Sequence, residues 1–451
     1  MTVKIAVIGG GSSMFVPGLV RRLIEIPCFD GAELRLMDVD AARAGVMEEL
    51  AVELATAEGR KLMVSSTTDQ REALRGVDFV IVTVAVGGMD AWANDIEIPG
   101  RYGVFMHIAD SIGPGGIFRA LRNTPVVASV AHDVAELAPA AFILNYTNPA
   151  SANAMAMAQT PSVRSLSLCS CSPWPLRRSW IAELVGVSEA EVVLPLKVGG
   201  INHCTAIMSL QLRDGRDAIP LIRDRTQHDI VRWAINTFGV IPYCSNHWAE
   251  FFPQLQRLED PYRGRAQGLA MRYDTRIFDM DVQAERARSW EQIALGWRGD
   301  GGHHRLADLP HGPEDDRIIV AELMESIIDD RGDLFIVNVM NDGLVANLPS
   351  SAAVEVPAMV NAEGVHALGI GLIPEGLATV LAHHARVQGL TMFAALTGDE
   401  TLLRQAMTAD PLLEATLEPP QLDGLLREML SANEGFLPRF FERQDLSETR
   451  P

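Results

Sequence analysis

Cys171, just ahead of Ser172-Pro173-Trp174-Pro175, and His203, at the end of Gly199-Gly200-Ile201-Asn202-His203, are residue types that can begin a metal site. One thiolate and one imidazole hold a divalent transition cation and leave positions open for substrate oxygens. Cys169 and Cys204 compete with Cys171, and spacing alone does not choose among them. Asp110 heads a glycine-rich loop, Asp110-Ser111-Ile112-Gly113-Pro114-Gly115-Gly116, which reads as a turn with a capped helix after it. Asn145 and Asn148-Pro149 follow an apolar strand, at the strand end where α/β folds place ligands.

A second constellation lies at the start. An apolar run over residues 3–8 ends in Gly9-Gly10-Gly11-Ser12-Ser13, and a helical pattern follows with Leu19, Val20, Leu23 and Ile24 on one face. Glycines let backbone approach a pyrophosphate, and a helix N-terminus offers N–H groups and a positive dipole end. Asp38 ends the next strand and can accept from adenosine ribose hydroxyls, which favours NAD over NADP. The strict G-x-G-x-x-G spacing is broken at Met14. Val86-Gly87-Gly88 closes another strong strand and sets a second loop beside the cofactor. Gly9, Gly11, Ser12, Ser13, Asp38 and Gly87 are therefore the candidate NAD-binding residues.

The elements that must position these groups alternate. Strands are expected over residues 3–8, 33–37, 78–86 and 141–145, with helices over 17–26, 41–57 and 126–137. That rhythm predicts an α/β fold, a Rossmann-type doubly wound parallel sheet. From about residue 195 it changes to longer helices, strands near 334–339 and 352–356, a long helix over 375–391, and a Gly-, His- and Asp-rich loop over 298–313 that includes His303-His304-Arg305. The expected division is residues 1–195 for the nucleotide domain and 196–451 for an α+β domain serving substrate, metal and oligomerisation. The tail from residue 442 is polar and is expected to fray.

Composition narrows the partners. With 38 Lys and Arg against 58 Asp and Glu, the formal charge is -20, which disfavours nucleic acid and anionic membranes. Five cysteines are too few and odd in number for a disulfide framework and fit a reducing cytoplasm. No signal peptide is read at the N-terminus, and no apolar run reaches the ~18 residues of a membrane span.

Five segments together resemble glycoside hydrolase family 4: residues 4–13 (KIAVIGGGSS), 110–125 (DSIGPGGIFRALRNTP), 145–150 (NYTNPA), 200–203 (GINH) and 337–357 (VNVMNDGLVANLPSSAAVEVP). This family is an NAD-dependent exception to the two-carboxylate rule for glycosidases. The resemblance implies transient oxidation at sugar carbon 3, loss of the carbon 2 proton, elimination of the glycosidic oxygen, addition of water and re-reduction. It also implies a divalent cation, usually Mn2+, on the oxygens of those carbons. Carried onto this chain, it makes Cys171 and His203 the metal ligands, with Cys171 preferred because the helix expected over 176–187 then falls in the family register. Asn148 and Asn202 become sugar-hydroxyl contacts, and Asp110 the active-site aspartate. Relatives are usually dimers or tetramers.

Two departures bear on substrate. The position after the metal Cys is commonly His, Asp or Asn, and here it is Ser172. Residues 239–252 (GVIPYCSNHWAEFF) resemble the base-bearing region, but Ser245 stands where many relatives have Asp, leaving Tyr243 and His247 as candidate bases. These departures resemble the sister family 188, NAD-dependent sulfoquinovosidases, and imply an α-sulfoquinovoside substrate. Trp174, Arg177 and Arg178 could supply the donors a sulfonate needs. The alternatives are a family 4 α-glucosidase, α-glycosiduronidase or 6-phosphoglycosidase, or a dehydrogenase with net NADH formation.

Overall fold

The computed structural model describes residues 2–106, 108–255, 258–260, 265–266, 306 and 318–441. The first strand, β1 (Lys4–Ile8), is an almost continuous apolar run buried on both faces, as a central parallel strand requires. Around it lie β2 (Ala32–Met37), β3 (Leu62–Thr67), β4 (Phe79–Val82), β5 (Phe142–Asn145) and β6 (Arg164–Ser167). They hydrogen-bond in the order β3-β2-β1-β4-β5-β6, all parallel. This is the dinucleotide-binding strand order, with its switch point between β1 and β4.

The sheet does not stop there. β7 (Val198–Ile201), β8 (Cys204–Ile207), β9 (Ile241–Pro242), β12 (Asp333–Met340) and β13 (Ala353–Asn361) continue it antiparallel in the order β12-β13-β7-β8-β9, with β14 (Gly364–Ala367) paired to β13. The small ribbon of β10 (Leu258–Asp260) and β11 (Arg265–Ala266) stands apart. One sheet thus runs through both halves of the sequence, joined where Asn338 of β12 pairs with Ser167 of β6.

Helices cover the sheet. α1 (Val16–Glu25) and α2 (Ala41–Ala57) lie beside β1 and β2, and the Asp40 carboxylate caps α2 by accepting from the N–H groups of Ala42 and Arg43. α3 (Gln70–Leu74) is short, and α4 (Gly88–Arg101) follows Gly87, whose φ of 82° is left-handed. The strand expected over residues 78–86 is therefore shorter: β4 ends at Val82, and the chain leaves the sheet to turn at Gly87.

α5 (Gly113–Leu137) is longer than the helix expected over 126–137, because it absorbs the glycine-rich stretch that reads as a turn. Those glycines permit close packing. A Cβ at Gly115 would lie 2.6 Å from the Ala109 Cβ, and one at Gly116 would lie 2.4 Å from the Ser111 carbonyl carbon. α6 (Ala150–Met157) is buried throughout. α7 (Arg178–Val185) begins only after a 3-10 turn at Trp174–Leu176, so the helix expected over 176–187 is shorter and ends at left-handed Gly186.

α8 (Ile219–Arg225), α9 (Asp229–Phe238), α10 (Ser245–Glu250) and α11 (Val320–Ile328) follow, then α12 (Glu375–Thr397), which is longer than the helix expected over 375–391. α12 packs with α5 and with the helix Glu400–Ala409, and the helices Pro411–Thr416 and Pro419–Ala432 pack on that helix and complete the larger apolar core. The loop expected over 298–313, apart from Leu306, and the tail from residue 442 lie outside the described residues. Among the described residues no helix is long and apolar enough to cross a membrane.

Candidate active site

The carboxyl ends of the parallel strands carry the candidate residues, as expected for an open α/β sheet. After β1, Gly9 has φ 93° and its N–H, like that of Gly10, donates to the Met37 carbonyl. A Cβ at Gly9 would meet the Thr83 carbonyl oxygen at 2.4 Å, and one at Gly10 would meet Leu36 at 2.7 Å. The loop is thereby wedged between β2 and β4. Gly11 donates to Asp38 Oδ2 at 2.9 Å, so Asp38 braces the loop while its other oxygen accepts from Asp40 N–H. Ser12 closes the turn, its N–H donating to Gly9 and its carbonyl accepting from Phe15 and Val16, and Ser13 is buried. No side chain caps α1 and no acidic residue occupies its first turn, which suits an anion at that end. At Gly87 a Cβ would meet Ala91 at 2.4 Å, so glycine is a local requirement there as well.

Asp110 and the candidate metal ligands converge. β7 and β8 form a hairpin whose two-residue turn is Asn202-His203, and His203 sits at φ 68°. A non-glycine residue held in that region is strained, and such residues gather at functional sites. His203 Nδ1 lies 2.7 Å from Ser111 Oγ, and Ser111 Oγ donates to Asp110 Oδ1 at 2.8 Å. This chain fixes the ring and leaves Nε2 for a ligand. Asn148 Nδ2 donates to Asp110 Oδ2 at 2.7 Å. His247, on α10, places Nε2 3.6 Å from Asp110 Oδ2, and its ring lies 3.8 Å from that of His203.

The electrostatics follow from these contacts. Burial opposes ionisation of Asp110, but His203 and His247 outweigh it and hold the carboxyl well below the usual range. Burial lowers His203, yet Cys169 and Asp110 together raise it well above an ordinary histidine. Burial and the neighbouring His203 charge push His247 down, so its imidazole is neutral and available near pH 7.

Sequence reading placed the metal on Cys171 and His203, and the structure adds a residue between them. Cys244, which precedes α10, has its Sγ 3.1 Å from Cys171 Sγ and 3.1 Å from His247 Nδ1. Among the described residues the donor atoms fall into two trios, Cys169–Cys171–Cys244 and His203–Cys244–His247, each with its ligand atoms within 4.8 Å of one another. This donor set, rich in sulfur and imidazole, fits a transition cation. Cys204 lies elsewhere, buried in the apolar core.

Three expectations need correction. Tyr243 is buried, and burial, with Glu355 and the nearby thiols, pushes its phenol well above its ordinary value. Without a cation beside it that phenol keeps its proton, whereas the His247 imidazole is free to take one, which favours His247 of the two candidates. Arg178 is not aimed at a ligand: its guanidinium donates to the Val192 carbonyl and ties α7 to the next turn. Arg177 lies 4.9 Å above the Trp174 ring, a stacked pair three residues beyond the metal Cys rather than three converging donors. Asn148 is chiefly a support for Asp110, whereas both side-chain polar atoms of buried Asn202 lack a hydrogen-bond partner among the described residues. Such a group calls for a ligand.

Two carboxylates escaped the sequence reading. Glu355 of β13 accepts from Ser172 Oγ at 2.7 Å and Thr205 Oγ1 at 2.8 Å, bridging the Cys171 loop and the His203 hairpin. Glu250 of α10 accepts from the N–H groups of Ile108 and Ala109, tying the helix of His247 to the loop of Asp110. Burial raises both to about 7. A Glu inside an otherwise apolar strand (AVEVPAMVN) was the visible sign for Glu355. For Glu250 the sign was its place one helical turn after His247.

The pattern of the family 4 glycosyl hydrolases matches residues 4–173, and that of the family 4 glycosyl hydrolase C-terminal domain matches residues 198–413. An alpha-galactosidase of Rhizobium meliloti (strain 1021) is 29% identical over 99% of this chain and 91% of its own. An alpha-glucosidase of Erwinia rhapontici is 28% identical over 94% of this chain and 96% of its own. The structure of a 6-phospho-alpha-glucosidase from gut microorganisms superposes with a TM-score of 0.79 at 23% identity, covering 97% of this chain and 99% of that one. Two family patterns in sequence order, full-length relatives and the shared fold agree: the chain belongs to family 4 of the glycosyl hydrolases, whose members are NAD-dependent glycosidases outside the two-carboxylate rule.

Proposed function

We propose that the protein is an NAD-dependent, metal-assisted α-glycosidase acting on anionic glycosides, with an α-sulfoquinovoside as substrate. The observation that carries the mechanistic part is the convergence of Asp110, His203, His247, Cys171 and Cys244 in one largely buried cluster. The related 6-phospho-alpha-glucosidase structure is a complex with NAD and Mn2+, which supports the same pair of groups here. When bound, NAD+ supplies a hydride acceptor for a sugar carbon, and the divalent cation polarises sugar oxygens and acidifies the adjacent C–H.

The chain's own residues do the rest. Gly9, Gly11, Ser12, Ser13, Asp38 and Gly87 shape the nucleotide cradle, and Cys171 and His203 hold the cation. Asn202 hydrogen-bonds a sugar hydroxyl. His247, neutral and held by Asp110 and Cys244, accepts the proton from carbon 2. Asp110 fixes both imidazoles through its two oxygens. The division near residue 195 and a homodimer or homotetramer are part of the same reading.

An anionic substrate is supported by cations near the site. Arg119 on α5 lies 5.4 Å over the Trp92 ring, feels the Asp110 charge, and has a buried Nε without a hydrogen-bond partner among the described residues. The Arg177–Trp174 pair flanks the Cys171 loop. A second reading, a neutral α-galactoside, is favoured by the alpha-galactosidase relatives.

The test is release of 4-nitrophenol from its α-sulfoquinovoside, α-galactoside, α-glucoside and 6-phospho-α-glucoside, with and without NAD+ and a divalent cation, while NADH absorbance is followed. Cleavage of the sulfonate in preference to the rest, needing NAD+ but leaving no net NADH, is expected. Equal turnover of a neutral glycoside would keep the mechanism and remove the sulfonate. NADH accumulating without phenol release would overturn the glycosidase reading.

A further inference from the structure

We propose that Cys244 is a third protein ligand of the cation, so that the centre in this chain is a Cys171–Cys244–His203 site with His247 alongside, and that it prefers Zn2+ or Co2+ to Mn2+. The inference rests on the reading that Cys171 and His203 hold the cation. It goes further by assigning a role to a thiol that the family resemblance leaves unassigned.

Three observations carry it. Cys244 belongs to both trios of convergent donors, and so links the thiol side of the cluster to the imidazole side. Its Sγ stands 3.1 Å from Cys171 Sγ and 3.1 Å from His247 Nδ1. In a tetrahedral centre with metal–sulfur bonds of ~2.3 Å and metal–nitrogen bonds of ~2.0 Å, neighbouring ligand atoms stand roughly 3.5–3.8 Å apart. The Cys244–Cys171 and Cys244–His247 spacings lie roughly half an ångström inside that range. His203 shares a convergent group with Cys244 but not with Cys171, so the Cys171 side chain swings toward His203 for all three to reach one cation.

The backbone also holds the cysteine in place. Cys244 is the residue before α10, its carbonyl accepts from Trp248 N–H, and Trp248 is fully buried. Glu250 anchors the same helix to the Asp110 loop. The thiol is therefore presented by a packed element. Each ligating thiol gives its proton to solvent and binds as thiolate. Two thiolates soften the site, and Mn2+ stands at the weak end of the affinity order while Co2+ and Zn2+ stand higher.

Co2+ titration of the chelator-stripped full chain, kept reduced and free of NAD and substrate, tests this by absorption. Cys171→Ser, Cys244→Ser, Cys169→Ser and Cys204→Ser variants are compared, with circular dichroism to confirm folding. The wild type is expected to show sulfur-to-cobalt charge-transfer bands that Cys244→Ser reduces by about half. The same variant should weaken Co2+ binding by at least the roughly 10- to 100-fold that loss of an outer-shell partner costs. Zn2+ should displace Co2+ at stoichiometric ratio, and Mn2+ only in large excess. A Cys244→Ser protein with the wild-type spectrum and affinity would overturn the inference and leave the Cys171–His203 site standing. Halving by Cys169→Ser in its place would move the second thiolate to Cys169 and likewise overturn it. No cobalt spectrum in the folded wild type would overturn the metal reading and the inference together.

Discussion

At the scale of single residues, the site is a set of polar groups that satisfy one another except where a ligand is due. Asp110 accepts from Ser111 and Asn148 while facing two imidazoles. Replacing it by Asn keeps the size but removes the charge that holds His203 and His247, and activity should fall by ~10²- to 10⁴-fold with little loss of folded protein. Steady-state kinetics with a thermal melt checks both halves of that statement. Asn202 differs, because its buried amide has no partner among the described residues. Asn202→Ala should therefore raise KM or lower kcat/KM by roughly 10-fold, worth about 1.4 kcal/mol of a hydrogen bond to a sugar hydroxyl, and leave stability nearly unchanged. Unaltered kinetics would show that the sugar does not use this group.

At the scale of elements, two buried braces keep the site in register. Arg122 on α5 forms a bidentate pair with Asp95 on α4, at 2.9 and 2.5 Å, and also bonds Asn433 and the Val86 carbonyl. This links the Gly87 loop to the helix that starts beside Asp110. Asp95→Ala leaves a guanidinium buried without its counter-charge, and denaturant unfolding should show a loss of about 3–5 kcal/mol. The second brace is Glu355, a positioning residue between the Cys171 loop and the His203 hairpin. Glu355→Gln retains the shape but disturbs the two hydroxyl donors, so cation affinity should drop by roughly 10- to 100-fold. Metal titration separates that effect from a general loss of fold.

At the scale of the whole molecule, stability depends on pH through groups far from the chemistry. His384 on α12 is buried, bonds the Phe251 carbonyl at 3.0 Å, and is pushed down by burial to about 4 from an ordinary 6.5. The unfolded chain binds a proton at this residue below about pH 6.5, and the folded chain does not until about pH 4. Its contribution is thus present above pH 6.5 and lost as pH falls towards 4, a swing of about 3 kcal/mol. His384→Gln should flatten the slope of unfolding free energy between pH 6.5 and 4.5, measured by denaturant titration at each pH. An unchanged slope would assign the acid sensitivity to other groups.

Much of this architecture was legible in the residues. The alternation of apolar strands and amphipathic helices up to residue 150 determined the parallel sheet, because period and burial are local properties of the chain. The glycine loop after β1 was also legible, since its close approach to β2 and β4 needs residues without a Cβ. Asp110, His203 and Asn202 were singled out by the family resemblance rather than by local conformation. Tertiary structure alone decided the rest. That β12 would join β6 and carry the sheet across both halves depends on pairing residues 171 apart, which no local pattern encodes. The fate of Tyr243 and Arg178 turned on burial and on a carbonyl partner reached through the fold. Glu355 and Cys244 entered the site because strands and loops distant in sequence converge there. Their side chains have no chemistry to announce until the neighbours that change their charge and donor capacity have been packed against them.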